Sequence, residues 1–385
     1  MSKKPFKVAL IHDEFVRRGG AEVVFEEMLR IWPQARVYGL YASNRPALSV
    51  DGRRYEIQTS SLQRLPLWFR KHPGRLLPLL PHAAEQFDLS DFDLVLSSSS
   101  GFAKGVITRS SIPHICYCHT PTRYLWDSTH AGQRKAWFGG RFLTRSLFHY
   151  LRMADFAAAQ RPDVFIANSR YTQQRIRQYY RRESEVVYPP IHTEFFTPLE
   201  TTLSLTGHNP TERPFVLVGR LTPAKHFEQA IIVCAKLQLP LVVVGVGRDL
   251  ARLKAIAGPK TLFIGKATPE ELRQYLRGAR ALIQPAVEDF GMATVEALAC
   301  GTPVIAYGEG GVKEIVVSGK HGVLYRTPQT EGLAEALRQF MMAENRFEPA
   351  LLQAQAMRFS AYLFRQNLEK QVEMVLQGTS GKRYI

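Results

Sequence analysis

Short runs of apolar, largely β-branched residues recur from one end of the 385-residue chain to the other, and most are apolar at every position rather than at alternate ones. A strand that is apolar on both faces has to be covered on both faces. That is the condition of a parallel sheet held between two layers of helices. The runs predicted as strands are Lys7–Ile11, Leu94–Ser97, His114–Tyr117, Val164–Ala167, Phe215–Val218, Leu241–Val244, Leu262–Ile264, Ala281–Gln284 and Pro303–Ala306. Amphipathic stretches between them, Ala21–Ile31, Tyr171–Tyr179, Pro269–Arg277, Met292–Ala299 and Glu331–Met342, supply the crossovers. Repeated alternation of this kind predicts an α/β fold of doubly wound sheets.

The alternation breaks between Val187 and Pro214, where prolines stand at 189, 190, 198, 210 and 214 among Thr and Ser. The break divides the chain into a first domain over 1–190 and a second over 191–360. Residues 361–385 are expected to form a helical segment packing back toward the first domain. Each half opens on a strand that enters a glycine-containing loop and then a helix, Val8–Ile11 into Gly19-Gly20 and Phe215–Val218 into Gly219-Arg220. Two Rossmann-like domains facing each other across a central cleft are the expected architecture.

Charge narrows the partners. The chain carries 50 Lys+Arg against 34 Asp+Glu, a formal +16, and such a surplus points to nucleic acid, an anionic membrane or phosphorylated small molecules. The signatures of nucleic-acid-binding modules are absent, which argues against the first. The four cysteines are too few for a disulfide scaffold and fit a reducing compartment. The apolar run near the N-terminus ends at His12-Asp13-Glu14, too short for a secretory signal, and no apolar window approaches the length of a membrane span.

The segment richest in chemistry runs from Leu282 to Ala306. A strand ends near Gln284, a loop carries Glu288 and Asp289, and a helix starts near Gly291-Met292 and stops at Gly301. The helix N-terminus then faces the C-terminal edge of the sheet, where an anionic group is favoured. Glu288 and Glu296 are spaced to reach two hydroxyl-bearing parts of one ligand, or else they complement the helix dipole. Gly219-Arg220 with Lys225 opens another helix after another strand. Two cations there neutralise a diphosphate, or form an exposed basic turn. Gly19-Gly20 and Gly245-Val246-Gly247 let backbone and ligand approach closely.

Glu288-x7-Glu296 with Phe290-Gly291-Met292 and Gly301-Thr302-Pro303 resembles the donor-sugar signature of retaining GT-B glycosyltransferases of family 4. His12-Asp13, Gly19-Gly20-Ala21-Glu22, Ser97–Ser100, Ala103-Lys104-Gly105, Cys116 through Asp127, Ala167-Asn-Ser-Arg-Tyr171 and Gly219-Arg220-Leu221 agree in order along nearly the whole chain. Together they are similar to the branch that builds bacterial surface polysaccharides, in which several members are mannosyltransferases. The resemblance implies an acceptor-binding first domain and a nucleotide-sugar-binding second domain. It implies that Arg220, Lys225 and the helix start at Gly291-Met292, with Phe290 beside it, hold the donor diphosphate, and that Gly19 and Gly20 approach the donor. Glu288 would bind sugar hydroxyls, Glu296 the ribose, and Lys266 would lie near the base. His119 would stand beside the donor sugar and contribute to catalysis. The most direct donor is GDP-mannose, with UDP-, dTDP- and GDP-deoxysugars as alternatives, and the acceptor a lipid-linked saccharide. A non-catalytic basic membrane- or nucleic-acid-binding protein is the alternative of another class.

Arg123, Tyr124, Trp126 and Asp127 form an aromatic and polar cluster of the kind that grips an acceptor sugar, and Tyr124 and Trp126 read equally as core aromatics beneath a loop. No metal is expected. Asp91-Phe92-Asp93 precedes its strand instead of following it, and alternate residues of the His114–Cys118 strand stand nearly 7 Å apart, awkward for one tetrahedral ion. Residues 57–84 contain no acid, and Arg64, Arg70, Lys71 and Arg75 stand there among leucines and Trp68. These five residues suit an anionic headgroup layer, or a packed core with solvated cations. A second basic zone runs from Arg134 to Arg152. The expected location is cytoplasmic, peripheral at the inner face of the membrane.

Overall fold

The computed structural model describes residues 6–43, 46–70, 73–127, 141–198 and 213–380. The chain divides into two compact units, the first made of Met1–Pro190 with Phe364–Ile385 and the second of Ile191–Leu363. Part of the proline-rich break, 199–212, lies outside the described residues, as do Lys71 and residues 134–140 of the second basic zone.

In the first unit, β1 (Val8–Phe15), β2 (Arg36–Ala42), β3 (Ala47–Val50), β4 (Arg53–Thr59), β5 (Leu94–Ser99), β6 (His114–Cys118), β7 (Val164–Ala167) and β8 (Ser184–Val186) form one sheet. Its order is β3-β4-β2-β1-β5-β6-β7-β8. Every pairing is parallel except that of β3 with β4. Strand β1 shows why its run is apolar throughout. Ala9 and Ile11 enter the cluster on one face with Leu40, Leu76 and Phe102, while Val8 and Leu10 enter the other with Phe25, Met28 and Leu29. The helix Ala361–Ser380 turns Phe364, Leu368 and Val372, four residues apart, into that second cluster. Arg365 adds an ion pair to the buried Glu27 at 2.9 Å.

In the second unit, β9 (Phe215–Val218), β10 (Leu241–Val244), β11 (Thr261–Gly265), β12 (Leu282–Gln284), β13 (Val304–Tyr307) and β14 (Gly322–Tyr325) lie in the order β11-β10-β9-β12-β13-β14. All are parallel. Renumbered within the unit, this is the 3-2-1-4-5-6 order of a doubly wound sheet, whose crevice opens where the first strand has neighbours wound in opposite directions. That point lies between β9 and β12, at their C-terminal ends. Two α/β units on parallel sheets, apart from the antiparallel β3–β4 edge pair, are the fold class expected from the alternation of strands and helices.

The segment 57–84 departs from the headgroup expectation. The prolines break it into the short helical pieces Ser61–Arg64, Leu67–Arg70, Pro73–Leu79 and Leu80–Ala84, and Leu62, Leu76, Leu77 and Leu80 are buried in the core. Arg70 is corrected outright. It is 6% exposed, and its guanidinium donates to the carbonyls of Leu65, at 2.9 Å, and of Ala42 and Ser43, so it ties loops together from inside. Arg64, Trp68 and Arg75 are exposed, with Arg75 stacked 4.9 Å above the Trp68 ring. Among the described residues no helix is long and apolar enough to cross a membrane.

Candidate functional site

Each unit gathers polar chemistry at the C-terminal edge of its own sheet. In the second unit, Arg220 stands just beyond β9 and is exposed, and Lys225 closes the short turn Pro223–Lys225. Glu288 follows β12, the neighbour of β9, so strand pairing brings groups 63 residues apart into contact. The Lys225 ammonium is hydrogen-bonded to Glu288 Oε1. Gln284 Nε2, from the end of β12, donates to the same oxygen at 2.9 Å. Glu288 is thus held by an amide from the end of its own strand and neutralised by a cation from the loop after β9.

The loop is braced from behind. Gly311 N donates to the Glu288 carbonyl at 2.9 Å, and a Cβ on Gly311 would lie 2.3 Å from the Asp289 carbonyl oxygen. Only glycine permits that approach. The run Gly308-Glu-Gly-Gly311 is a site determinant that sequence reading missed, although three glycines within four residues after a strand were a signal for it. A similar contact corrects the reading of Gly245 and Gly247. A Cβ at Gly245 would fall 1.8 Å from the Gly219 carbonyl oxygen, so its close partner is the protein's own Gly219–Leu221 loop rather than a ligand.

The helix Met292–Ala299 starts from Gly291, whose φ is +103°, and Met292 is half-buried at its first turn. Phe290 does not face a ligand. Its ring is 3% exposed and packs on Phe359 with centroids 5.4 Å apart, leaving backbone as what it offers at the edge. Glu296 lies in the next turn, half-buried, and its carboxylate makes no hydrogen bond among the described residues. Burial pushes it up to about 7. Lys266 is exposed beyond β11, which lies two strands, about 10 Å, from β9 in the sheet.

In the first unit, the edge is built from β1, β5 and β6. His12 of β1 pairs in register with Ser98 of β5, and His119 follows β6. Ser98 Oγ lies 2.8 Å from His119 Nε2 and 3.1 Å from His12 Nδ1, while His12 Nε2 lies 3.5 Å from Glu22. Glu22 also caps the helix Gly20–Ile31 by accepting from Gly19 N at 2.7 Å. Gly19 and Gly20 are exposed at that helix start. Asp13 clamps the next loop, accepting from the backbone N–H groups of Ser100, Gly101 and Ala103 at 2.6–2.8 Å. Burial opposes a charge on His12, but Glu22 and Asp13 outweigh it and raise its pKa. Burial, with the nearby His12, pushes His119 down to about 3, so its imidazole is neutral at pH 7.

Of the residues expected at an acceptor, Arg123 and Tyr124 are half-buried on the short helix Arg123–Trp126. Trp126 and Asp127 are committed inward. Trp126 Nε1 donates to the buried Asp155 at 2.7 Å and its ring stacks on Tyr179, and Asp127 pairs with Arg175 at 3.5 Å. Asp155 also accepts from Lys104, Thr122 and Tyr180. This buried network, which sequence reading also missed, holds the loop that follows His119.

The comparisons decide the family. Residues 18–195 match the family model described as Glycosyltransferase Family 4, and residues 204–353 match the one described as Glycosyl transferases group 1. The chain carries both domains of a family 4 GT-B glycosyltransferase. It is 33% identical over 140 residues to a GDP-mannose-dependent alpha-mannosyltransferase of Mycolicibacterium smegmatis, covering 36% of this chain and 37% of that protein. It is 29% identical over 217 residues to a D-inositol 3-phosphate glycosyltransferase of Rhodococcus opacus, covering 50% of this chain and 48% of that protein. The chain thus spans less than half the length of these relatives. Among solved structures, sucrose-phosphate synthase from Thermosynechococcus elongatus superposes with a TM-score of 0.73 at 17% identity, over 97% of this chain and all of that one.

The candidate site of the second unit carries a pH signature. Because the folded-state pKa of Glu296 is raised, ionising it costs stability as pH rises through about 7, and that cost is absent below the unfolded value near 4.5. Glu296→Gln is therefore expected to raise the melting temperature of the ligand-free protein at pH 8 and to leave it nearly unchanged at pH 5. Melting curves at the two pH values check this, and equal shifts at both would contradict it.

Proposed function

We propose that the chain is a retaining, metal-independent hexosyltransferase that moves mannose from GDP-mannose to a lipid-linked saccharide. The observation that carries this reading is the Lys225–Glu288 pair at the crevice between β9 and β12, with Arg220 exposed in the same loop as Lys225. The name of the M. smegmatis relative supports mannose as the sugar and GDP as the carrier.

Breaking a bond between a sugar and a diphosphate puts negative charge on the leaving oxygen. Lys225 and Arg220 stabilise that charge as fixed cations at the edge of the sheet, the role a divalent ion plays elsewhere. Before the donor arrives, Lys225 neutralises Glu288. When the diphosphate takes the ammonium, the Glu288 carboxylate, still held by Gln284, accepts hydrogen bonds from the sugar hydroxyls. The helix start at Gly291-Met292 faces the phosphates, Glu296 accepts from the ribose, and Lys266 lies toward the base. In the first unit, neutral His119 is the catalytic group, Gly19 and Gly20 are assigned to the donor, and Arg123 and Tyr124 to the acceptor. Retention follows from attack on the face the diphosphate leaves. The acceptor oxygen bonds to the anomeric carbon as the carbon–phosphate-oxygen bond breaks, and the acceptor proton passes to the departing phosphate oxygen.

The transfer assay uses a panel of GDP-, UDP- and dTDP-sugars with a lipid-linked saccharide, with and without EDTA. Transfer from GDP-mannose with retained anomeric configuration, unaffected by EDTA, is expected. Glu288→Ala is expected to lower kcat on the order of 10²-fold or more in a protein that still melts cooperatively. No turnover with any donor, or strict dependence on a divalent cation, contradicts the reading.

The acceptor's lipid places the work at a membrane surface, cytoplasmic and peripheral, and the exposed Arg64, Trp68 and Arg75 suit anionic headgroups. Each cation contributes about 1 kcal/mol near such a surface. The variant carrying Arg64→Gln, Trp68→Ala and Arg75→Gln is expected to lose flotation with phosphatidylglycerol vesicles at physiological salt and to keep activity on a water-soluble acceptor. Unchanged flotation would remove the membrane contact at this segment.

A further inference from the structure

The first unit holds its candidate catalytic histidine through a hydrogen-bonded chain that starts at the Gly19-Gly20 loop. Glu22 Oε2 accepts from Gly19 N at 2.7 Å, and Glu22 Oε1 lies 3.5 Å from His12 Nε2. His12 is 2% exposed, packed against Phe15 and Phe25. Its other nitrogen, Nδ1, lies 3.0 Å from the Ser98 carbonyl oxygen and 3.1 Å from Ser98 Oγ.

Donor and acceptor chemistry fixes the direction of this chain. A carbonyl oxygen only accepts, so His12 Nδ1 carries a hydrogen and shares it with Ser98. The Ser98 hydroxyl therefore receives on the His12 side and has one hydrogen of its own to give. Among the described residues, the acceptor within reach of it is His119 Nε2, at 2.8 Å. An Nε2 that accepts is unprotonated, and a neutral imidazole then carries its hydrogen on Nδ1. His119 Nδ1 makes no hydrogen bond among the described residues. The ring is also held through its backbone, with N donating to Ser99 O at 2.9 Å and O accepting from Asn168 Nδ2 at 2.8 Å.

We propose that His12 and Ser98 are positioning residues for His119: the Ser98 hydroxyl, oriented by His12, donates to His119 Nε2 and fixes the imidazole in the tautomer that presents N–H at Nδ1 to the substrate. The part that concerns substrate rests on the reading of His119 as acting on the donor sugar. A donating Nδ1 recognises a sugar oxygen as an acceptor and excludes His119 from taking a proton at that position. Ser98 is then as much a determinant of what His119 does as the ring itself.

The test reads the tautomer directly. Long-range ¹H–¹⁵N correlation spectra of the full chain, labelled with ¹⁵N-histidine and with the His119 signal assigned by its loss in His119→Gln, report which ring nitrogen bears hydrogen. The expected result at pH 7.5 is a protonated Nδ1 and an unprotonated Nε2. Ser98→Ala is expected to move His119 to the Nε2–H form or to a mixture, and Ser98→Thr, which keeps the hydroxyl, to restore the native pattern. In transfer assays Ser98→Ala is expected to lower kcat roughly tenfold with little change in donor KM, and Ser98→Thr to recover it. A wild-type Nε2–H or averaged spectrum, or a Ser98→Ala spectrum identical to wild type, overturns the proposal. If Ser98→Ala does not fold, the wild-type spectrum decides. The spectrum needs no substrate, so an Nδ1–H ring without any transfer overturns the transferase reading alone, whereas transfer with an Nε2–H ring overturns this one alone.

Discussion

A parallel sheet ends all of its strands on one edge, and every polar loop that follows a strand is delivered there. In the second unit this places the loops after β9, β10, β11 and β12 side by side, although they are separated by long stretches of sequence. Because β9 has β10 on one side and β12 on the other, the chains leaving β9 and β12 wind toward opposite faces and leave a crevice between them. Lys225 and Glu288 meet at that crevice, where each charge is compensated by the other. The same topology in the first unit places β1 between β2 and β5 and sets His12 beside Ser98.

In the second unit, close backbone packing keeps these loops in place. The Gly219–Leu221 loop rests on Gly245 and Gly247, and the Glu288–Phe290 loop rests on Gly310 and Gly311, at distances no side chain allows. In the first unit a carboxylate does the equivalent work: Asp13 gathers three backbone N–H groups, and Asp155 gathers Lys104, Thr122, Trp126 and Tyr180. Removing either partner of the buried Lys104–Asp155 pair would leave an uncompensated charge, typically costing about 3–5 kcal/mol.

The elements legible in the sequence are those whose own residues declare them. Val164–Ala167, Phe215–Val218, Leu241–Val244 and the helix Met292–Ala299 have the observed bounds because apolar runs with turn residues at both ends leave little choice. Strand β4 was not legible: in Arg53–Thr59 charged residues face outward and only Tyr55 and Ile57 are buried, so no continuous run appears. Strand β8 has three residues and a polar edge, and β14 begins at a glycine. In the site, charged residues after apolar runs could be named, but their partners could not. Neither the inward turn of Arg70, Trp126 and Phe290 nor the grip of Gln284 on Glu288 is written in spacing, because each depends on which distant carbonyl, carboxylate or ring packs opposite.

The central claim is that the Lys225–Glu288 pair opens to take a diphosphate. Calorimetric titration of GDP and UDP into the wild-type chain and into Lys225→Ala tests it most directly. Losing one charge-assisted contact to phosphate is predicted to weaken the preferred nucleoside diphosphate roughly tenfold to a hundredfold, and the corresponding nucleoside much less. If neither diphosphate binds the wild-type protein, or if both bind Lys225→Ala as tightly as wild type, the pair is not a diphosphate site and the account fails.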